Sequence, residues 1–128
     1  MKYFLFLLLL FPWPANGQGF PQKPENYVTI FDPFYRNESF LSKQEEELLN
    51  AKLRAFEDST SNQLFVYLTY TLLGKNLEDH SREIFNTWGI GQKGKDNGIL
   101  IAIFVNDRRY RIQVGYGLEA TLPSDLCR

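Results

Sequence analysis

The sequence predicts an α/β fold, a small mixed β-sheet of about four strands sandwiched by helices, and three observations lead there. Residues 63 to 72 alternate in the manner of a strand, Leu77 to Trp88 carries apolar residues at helical spacing, and residues 99 to 105 form a second strand. Strand, helix and strand in that order favour a parallel crossover. The run from Ile99 to Val105 is apolar on both faces, as a central strand covered from both sides must be. After the short Asn106-Asp107-Arg108 link, Tyr110, Ile112 and Val114 alternate with Arg109, Arg111 and Gln113. Asn and Asp tolerate left-handed backbone angles, so this link predicts an antiparallel hairpin.

Taken in order, residues 1 to 17 have the pattern of a secretory signal. Lys2 precedes the apolar run Tyr3 to Phe11, then helix-breaking Pro12 and Pro14, then Ala15-Asn16-Gly17 at the cleavage position. The run is too short to span a bilayer. The expected product is therefore exported, periplasmic or extracellular, with no transmembrane segment beyond the signal. Without Lys2 the chain keeps thirteen basic and fifteen acidic residues, a near-neutral balance that argues against nucleic acid as a partner. Its single cysteine, Cys127, excludes an intramolecular disulfide, so the core alone must hold the domain together.

Residues 18 to 26, with Pro21 and Pro24, read as a linker, and residues 27 to 128 as one domain. Tyr27 to Phe31 is a short edge strand ended by Asp32-Pro33, and an aromatic loop with Phe34, Tyr35 and Phe40 follows. Ser42 and Glu45 have capping-box spacing, and the helix they open carries Leu49, Leu53 and Phe56 as its stripe, with Leu48 beside them. Ser59 to Asn62 stops it. Asn76 caps a second helix whose apolar face is Leu77, Ile84, Phe85 and Trp88, and Gly89 ends it. His80 falls close to that helix's polar face, as a solvated residue. From Leu118 a further helix starts, interrupted by Pro123.

Hairpin geometry brings two glycine-rich loops to one end of the sheet. One holds Lys93, Lys95, Asp96 and Asn97; the other holds Gly115, Tyr116, Gly117 and Glu119. A functional site is expected there.

The stretches Trp-Gly-Ile-Gly-Gln-Lys-Gly-Lys-Asp-Asn-Gly (88 to 98) and Arg-Ile-Gln-Val-Gly-Tyr-Gly-Leu-Glu (111 to 119), with Leu122-Pro123, resemble the TPM domain family. The resemblance covers about Tyr27 to Leu126. It implies a small sheet between helices, exported or lumenal and often anchored by a later hydrophobic segment. It implies one of three activities: acid phosphatase, calcium binding, or accessory modulation of a membrane protein complex. Two departures stand out. Nine positions separate Asp32 from Leu41, longer than the family spacing, and the chain stops before the family's further helices, so its C-terminal helices are expected to be truncated.

Within that frame, Asp96, Glu119 and Asp32 are the candidate ligands of a divalent cation, calcium first, since calcium takes six to eight oxygens and glycine-rich loops add carbonyls to carboxylates. The alternative is that Asp96-Asn97-Gly98 is a turn into the strand and Glu119 a carboxylate at a helix start. Lys93, Lys95 and Asn97, with neighbouring amides, are candidates for an anion or a partner. Tyr116, flanked by glycines, either stacks on a partner or folds back over the hairpin. Arg109 and Arg111 are expected on the wet face of an edge strand, where charge discourages aggregation. The expected function is an exported module with a cation-binding loop cleft that serves a membrane or envelope protein complex. The alternative is a metal-assisted acid phosphatase acting on phosphomonoesters. No Ser, Cys and His arrangement suggests a nucleophile.

Overall fold

The computed structural model describes residues 23–31 and 40–122; the predicted signal, Asp32, Phe34, Tyr35 and everything past Leu122 lie outside them. Among the described residues the order is β1 (Val28–Phe31), α1 (Lys43–Thr60), β2 (Gln63–Thr69), α2 (Leu77–Trp88), β3 (Gly98–Phe104) and β4 (Arg109–Val114), followed by a 3-10 turn, Tyr116–Leu118. The strands lie in the order β1-β2-β3-β4, with β1, β2 and β3 parallel and β4 antiparallel to β3. This is the predicted mixed sheet, with helices on both faces.

Each helix starts and stops where its sequence directs. The Ser42 hydroxyl accepts the Glu45 amide at 3.1 Å while the Glu45 carboxylate accepts the Ser42 amide at 2.8 Å. Both otherwise orphaned donors are satisfied. Ser61, at φ 64, closes α1 and donates to the Glu57 carbonyl at 2.7 Å. Asn76 accepts the Asp79 amide at 3.0 Å to open α2, and Gly89 ends it at φ 59.

Alternation along β2 separates two cores. Phe65 and Tyr67 point to α2, where they meet Ile84, Trp88, Leu100, Ala102 and Phe104. Burial there pushes the Tyr67 hydroxyl up to about 12. Val66 and Leu68 point to α1 and meet Val28 and Leu53, with Ile101 and Ile103 at the margin. The strand order advances in one direction at both crossovers, so helices on opposite faces give the two crossovers opposite hands. One of them departs from the strong right-handed preference of such units.

Five details correct the sequence expectations. Leu48 is 59% exposed, so the stripe of α1 is narrower than its leucines suggest. Strand β2 ends at Thr69, short of the expected residue 72, and Leu72 joins the α2 core. In the hairpin the left-handed residue is Arg108, at φ 52. Asp107 uses its carboxylate elsewhere, accepting the Leu72 amide at 2.6 Å and the Thr71 hydroxyl at 3.2 Å, which ties the exit of β2 to the turn. Arg111, expected in water, lies on the α2 side at 3.5 Å from Glu78.

His80 is the fifth correction: it is buried, with its ring 5.9 Å from that of Phe104 and Nδ1 at 3.9 Å from the Glu83 carboxylate. Helical geometry explains the difference, because His80 precedes Ile84 by one turn and shares its face. Burial lowers the imidazole pKa, and Lys75 adds to the effect against the opposing pull of Glu83. The folded state therefore keeps His80 neutral where the unfolded chain already protonates it. Stability is full above the ordinary value of 6.5, falls as pH drops below it, and levels off beneath the lowered folded-state value. Urea unfolding at pH 7, 6 and 5 should show a smaller loss for His80→Leu than for the natural chain; equal losses would contradict this placement of His80.

Candidate functional site

The two glycine loops meet through their backbones. After Gly89 the chain turns back under the core: Ile90 is buried and its amide donates to the Phe85 carbonyl at 3.3 Å. The Gly91 amide donates to the side-chain oxygen of Gln63 at 2.9 Å. Gln92 then caps a tight turn, its carbonyl accepting Lys95 at 3.0 Å and Asp96 at 3.3 Å. Asp96 takes φ 48, a left-handed angle that Asp accepts more readily than most residues. The second loop leaves β4 with Gly115 donating to Gly98 at 2.8 Å and Gly117 donating to the Asp96 carbonyl at 2.8 Å. That last bond fastens the exit loop to the entry loop. It needs a glycine, since a Cβ on Gly117 would lie 2.1 Å from the Lys95 carbonyl oxygen.

Asn97 holds this junction to the rest of the fold. Its side-chain oxygen accepts the Gln92 amide at 2.7 Å, its side-chain nitrogen donates to the Ser61 carbonyl at 2.6 Å, and its own carbonyl accepts the Gln63 amide at 3.1 Å. Gln63 completes the brace by donating to the Glu57 carboxylate at 2.7 Å, and Glu57 also accepts the Tyr27 hydroxyl. The end of α1, the start of β2 and the entry loop are thus one hydrogen-bonded unit. Sequence reasoning missed Ser61, Gln63 and Gln92. The available signal was a polar Gln63 at the head of an otherwise apolar strand.

The predicted site residues divide into groups. Lys93, Lys95 and Asp96 are exposed on the entry turn, and Glu119 and Tyr116 are exposed on the exit loop, Tyr116 to 82%. Tyr116 therefore does not fold back over the hairpin. Asn97 is buried, and its side-chain amide is engaged inside the loop. Asp32 lies outside the described residues. Its neighbour Phe31 pairs with Thr69, and Thr69 with Phe104, six ladder positions from Gly98. At ~3.3 Å per residue that is ~20 Å from the glycine loops. Among the described residues no three His, Cys, Asp or Glu side chains stand close enough to hold a metal together. What the junction offers a cation is Asp96 and Glu119 from adjacent loops, with backbone carbonyls and water to complete the shell.

The chain matches the profile of the TPM domain over residues 34–128. Its fold is similar to the N-terminal domain of a protein from P. gingivalis, solved by NMR, at 32% identity and a TM-score of 0.67, over 79% of this chain and 60% of that one. It is similar to the BA42 protein of the psychrophilic bacterium Bizionia argentinensis at 26% identity and a TM-score of 0.62, over 70% and 61%. The N-terminal domain of the cg2496 protein of Corynebacterium glutamicum shares the fold, at 20% identity and a TM-score of 0.58, over 77% and 60%. The chain thus spans about 60% of the length of these solved chains. No curated protein matches it.

If the loops are locked together as described, Gly117→Ala should lower the unfolding free energy by about 1–3 kcal/mol, the usual cost of forcing backbone apart. Gly94→Ala, whose Cβ meets open space at φ 84, should cost only left-handed strain of about 1 kcal/mol. Denaturant titration of the two variants checks the order; equal effects would deny the close contact at Gly117.

Proposed function

The chain belongs to the TPM domain family, and from that premise we propose that it is an exported module that binds a divalent cation, calcium first, at the junction of its two glycine loops and serves a membrane or envelope protein complex. The observation that carries this is the Gly117 amide bonded to the Asp96 carbonyl, because it fixes the loops bearing Asp96 and Glu119 against each other. Both carboxylates are exposed and belong to no ion pair among the described residues. The ligand set is Asp96, Glu119 and loop carbonyls. Asp32 is left out, since Phe31 ends β1 at the far end of the sheet. Lys93, Lys95 and Tyr116 rim the junction as partner contacts, and Asn97 is its internal brace.

Two carboxylates with water make a weak calcium site, in the range of about 0.1–1 mM typical of extracellular modules. Such affinity suits an exported protein, and the apolar run after Lys2 supports export. Among the described residues no helix is long and apolar enough to cross a membrane.

Metal-assisted hydrolysis of phosphomonoesters would use the same cation, which can itself lower the pKa of a bound water. His80, the one histidine of the chain, packs on Phe104, at the opposite end of β3 from the loops. Hydrolysis at the junction would therefore rest on the cation and the carboxylates without an imidazole.

Thermal unfolding with 10 mM calcium against chelator tests the site. At ~20 times the dissociation constant the gain is about 1.8 kcal/mol, which moves the midpoint of a domain this size by more than ~5 °C. Asp96→Asn should abolish the shift without harming the fold, because asparagine also accepts φ 48. No shift in the natural chain would reject the site, and phosphomonoester turnover at acidic pH that is lost in Asp96→Asn would restore the enzyme.

A further inference from the structure

Among the described residues strand β4 ends the sheet, and its pairing with β3 determines which of its backbone groups face outward. Gly115 donates to Gly98 directly opposite it, so that pair is hydrogen-bonded and bonded pairs recur at every second position: Gln113 with Leu100, Arg111 with Ala102, Arg109 with Phe104. The N–H and C=O groups of Tyr110, Ile112 and Val114 therefore point away from β3. The two faces of this edge differ in chemistry. On the α1 side Tyr110 is 58% exposed and Ile112 and Val114 are half-buried, because α1 lies over β1 and β2. On the α2 side stand Arg109, exposed, and Arg111, whose guanidinium meets Glu78 at 3.5 Å. Arg108, beside them in the turn, is exposed as well. The turn's one carboxylate, Asp107, is already occupied by Thr71 and Leu72.

We propose that the outer edge of β4 takes up an extended peptide that alternates acidic and apolar residues, as an added strand. Backbone groups of Tyr110, Ile112 and Val114 supply the hydrogen bonds. The peptide's acidic side chains lie beside Arg109 and Arg111, and its apolar ones extend the strip formed by exposed Tyr110 and half-buried Ile112. Charge separates this occupant from a second copy of the chain. Two β4 edges related by a two-fold axis normal to the sheet would set Arg111 against itself when centred on Arg111 and Arg109 against Arg111 when centred on Tyr110, and centring on Ile112, which sets Arg111 against Gln113, avoids like charges without gaining any attraction. Like charges directly opposite destabilise a ladder. An acidic strand replaces that repulsion with attraction. The inference is independent of the cation junction, which none of these outward-facing groups forms.

The test uses the full, isotope-labelled chain with a capped heptapeptide alternating glutamate and valine, at millimolar concentration, and its lysine–valine counterpart. Amide exchange at Tyr110, Ile112 and Val114 should slow at least fivefold with the glutamate peptide and not with the lysine one, and the affinity should fall as salt rises from 50 to 500 mM. Ile112→Pro removes an outward donor that β3 does not use, and should weaken binding at least tenfold. Should that variant fail to fold, Arg109→Glu, which alters an exposed side chain, should shift preference toward the lysine peptide. Equal protection by both peptides, unaltered preference in Arg109→Glu, or no protection by the glutamate peptide would overturn the proposal. So would a dimer in sedimentation that protects the same three amides without peptide, since the occupant would then be a second copy.

Discussion

The buried carboxamide of Asn97 is the constraint on which the glycine-loop end of this molecule depends. With its side chain it accepts from Gln92 and donates to Ser61, and with its carbonyl it accepts from Gln63, so the corner between α1 and β2 and the entry loop, distant in sequence, converge on one residue. A carboxamide is suited to this, since it donates and accepts at once; a buried aspartate would lose the donor and gain a charge. Leaving either partner unsatisfied in a buried site costs about 1–3 kcal/mol per group. Asp96 and Gly98 are positioned as the direct chain neighbours of this residue. Through the Asp96 carbonyl the brace reaches Gly117, and so the second loop.

This chain of bonds explains how two exposed, glycine-rich loops are held without a disulfide. Backbone fastens to backbone, and the side chains of Asp96, Lys95, Tyr116 and Glu119 are left exposed. The proposed site also departs from a general habit of α/β sheets, which place ligands beyond the carboxyl ends of the parallel strands. Here the loops gather at the amino end of β3, beside the last residues of the antiparallel β4. The hairpin is the reason, because it adds an exit loop to that end. Beyond the carboxyl ends of β2 and β3, Asp107 ties the hairpin turn to the exit of β2.

Much of the fold was legible in the residues because its signals are local. Ser42 with Glu45, Asn76 with Asp79 and Gly89 as a left-handed stop all act within one helical turn. The continuous apolar run of β3 announced a central strand, and the structure buries Leu100, Ala102 and Phe104 completely. What was not legible depends on layers. Alternation shows that Arg109 and Arg111 share a face, but the face that α2 covers is set by the hand of the crossovers. The same gap concealed His80, whose surroundings depend on where Phe104 lies. At the candidate site the convergence of the two loops followed from the hairpin alone. The assignment of Asn97 as an outward contact did not anticipate its burial, because a carboxamide beside a glycine reads the same as a ligand or as a brace. Asp32, grouped with Asp96 and Glu119 as a candidate cation ligand, lies outside the described residues, and the parallel register of β1 places its neighbour Phe31 opposite Thr69.

The central claim is the location of the cation, and calcium titration followed by amide chemical shifts of the full chain tests it most directly. The account predicts saturable shifts concentrated at Asp96, Asn97 and Tyr116 to Glu119, with Thr71, Leu72 and Asp107 unaffected. Shifts centred on the Thr71 and Asp107 end of the sheet, or none at millimolar calcium, would contradict it.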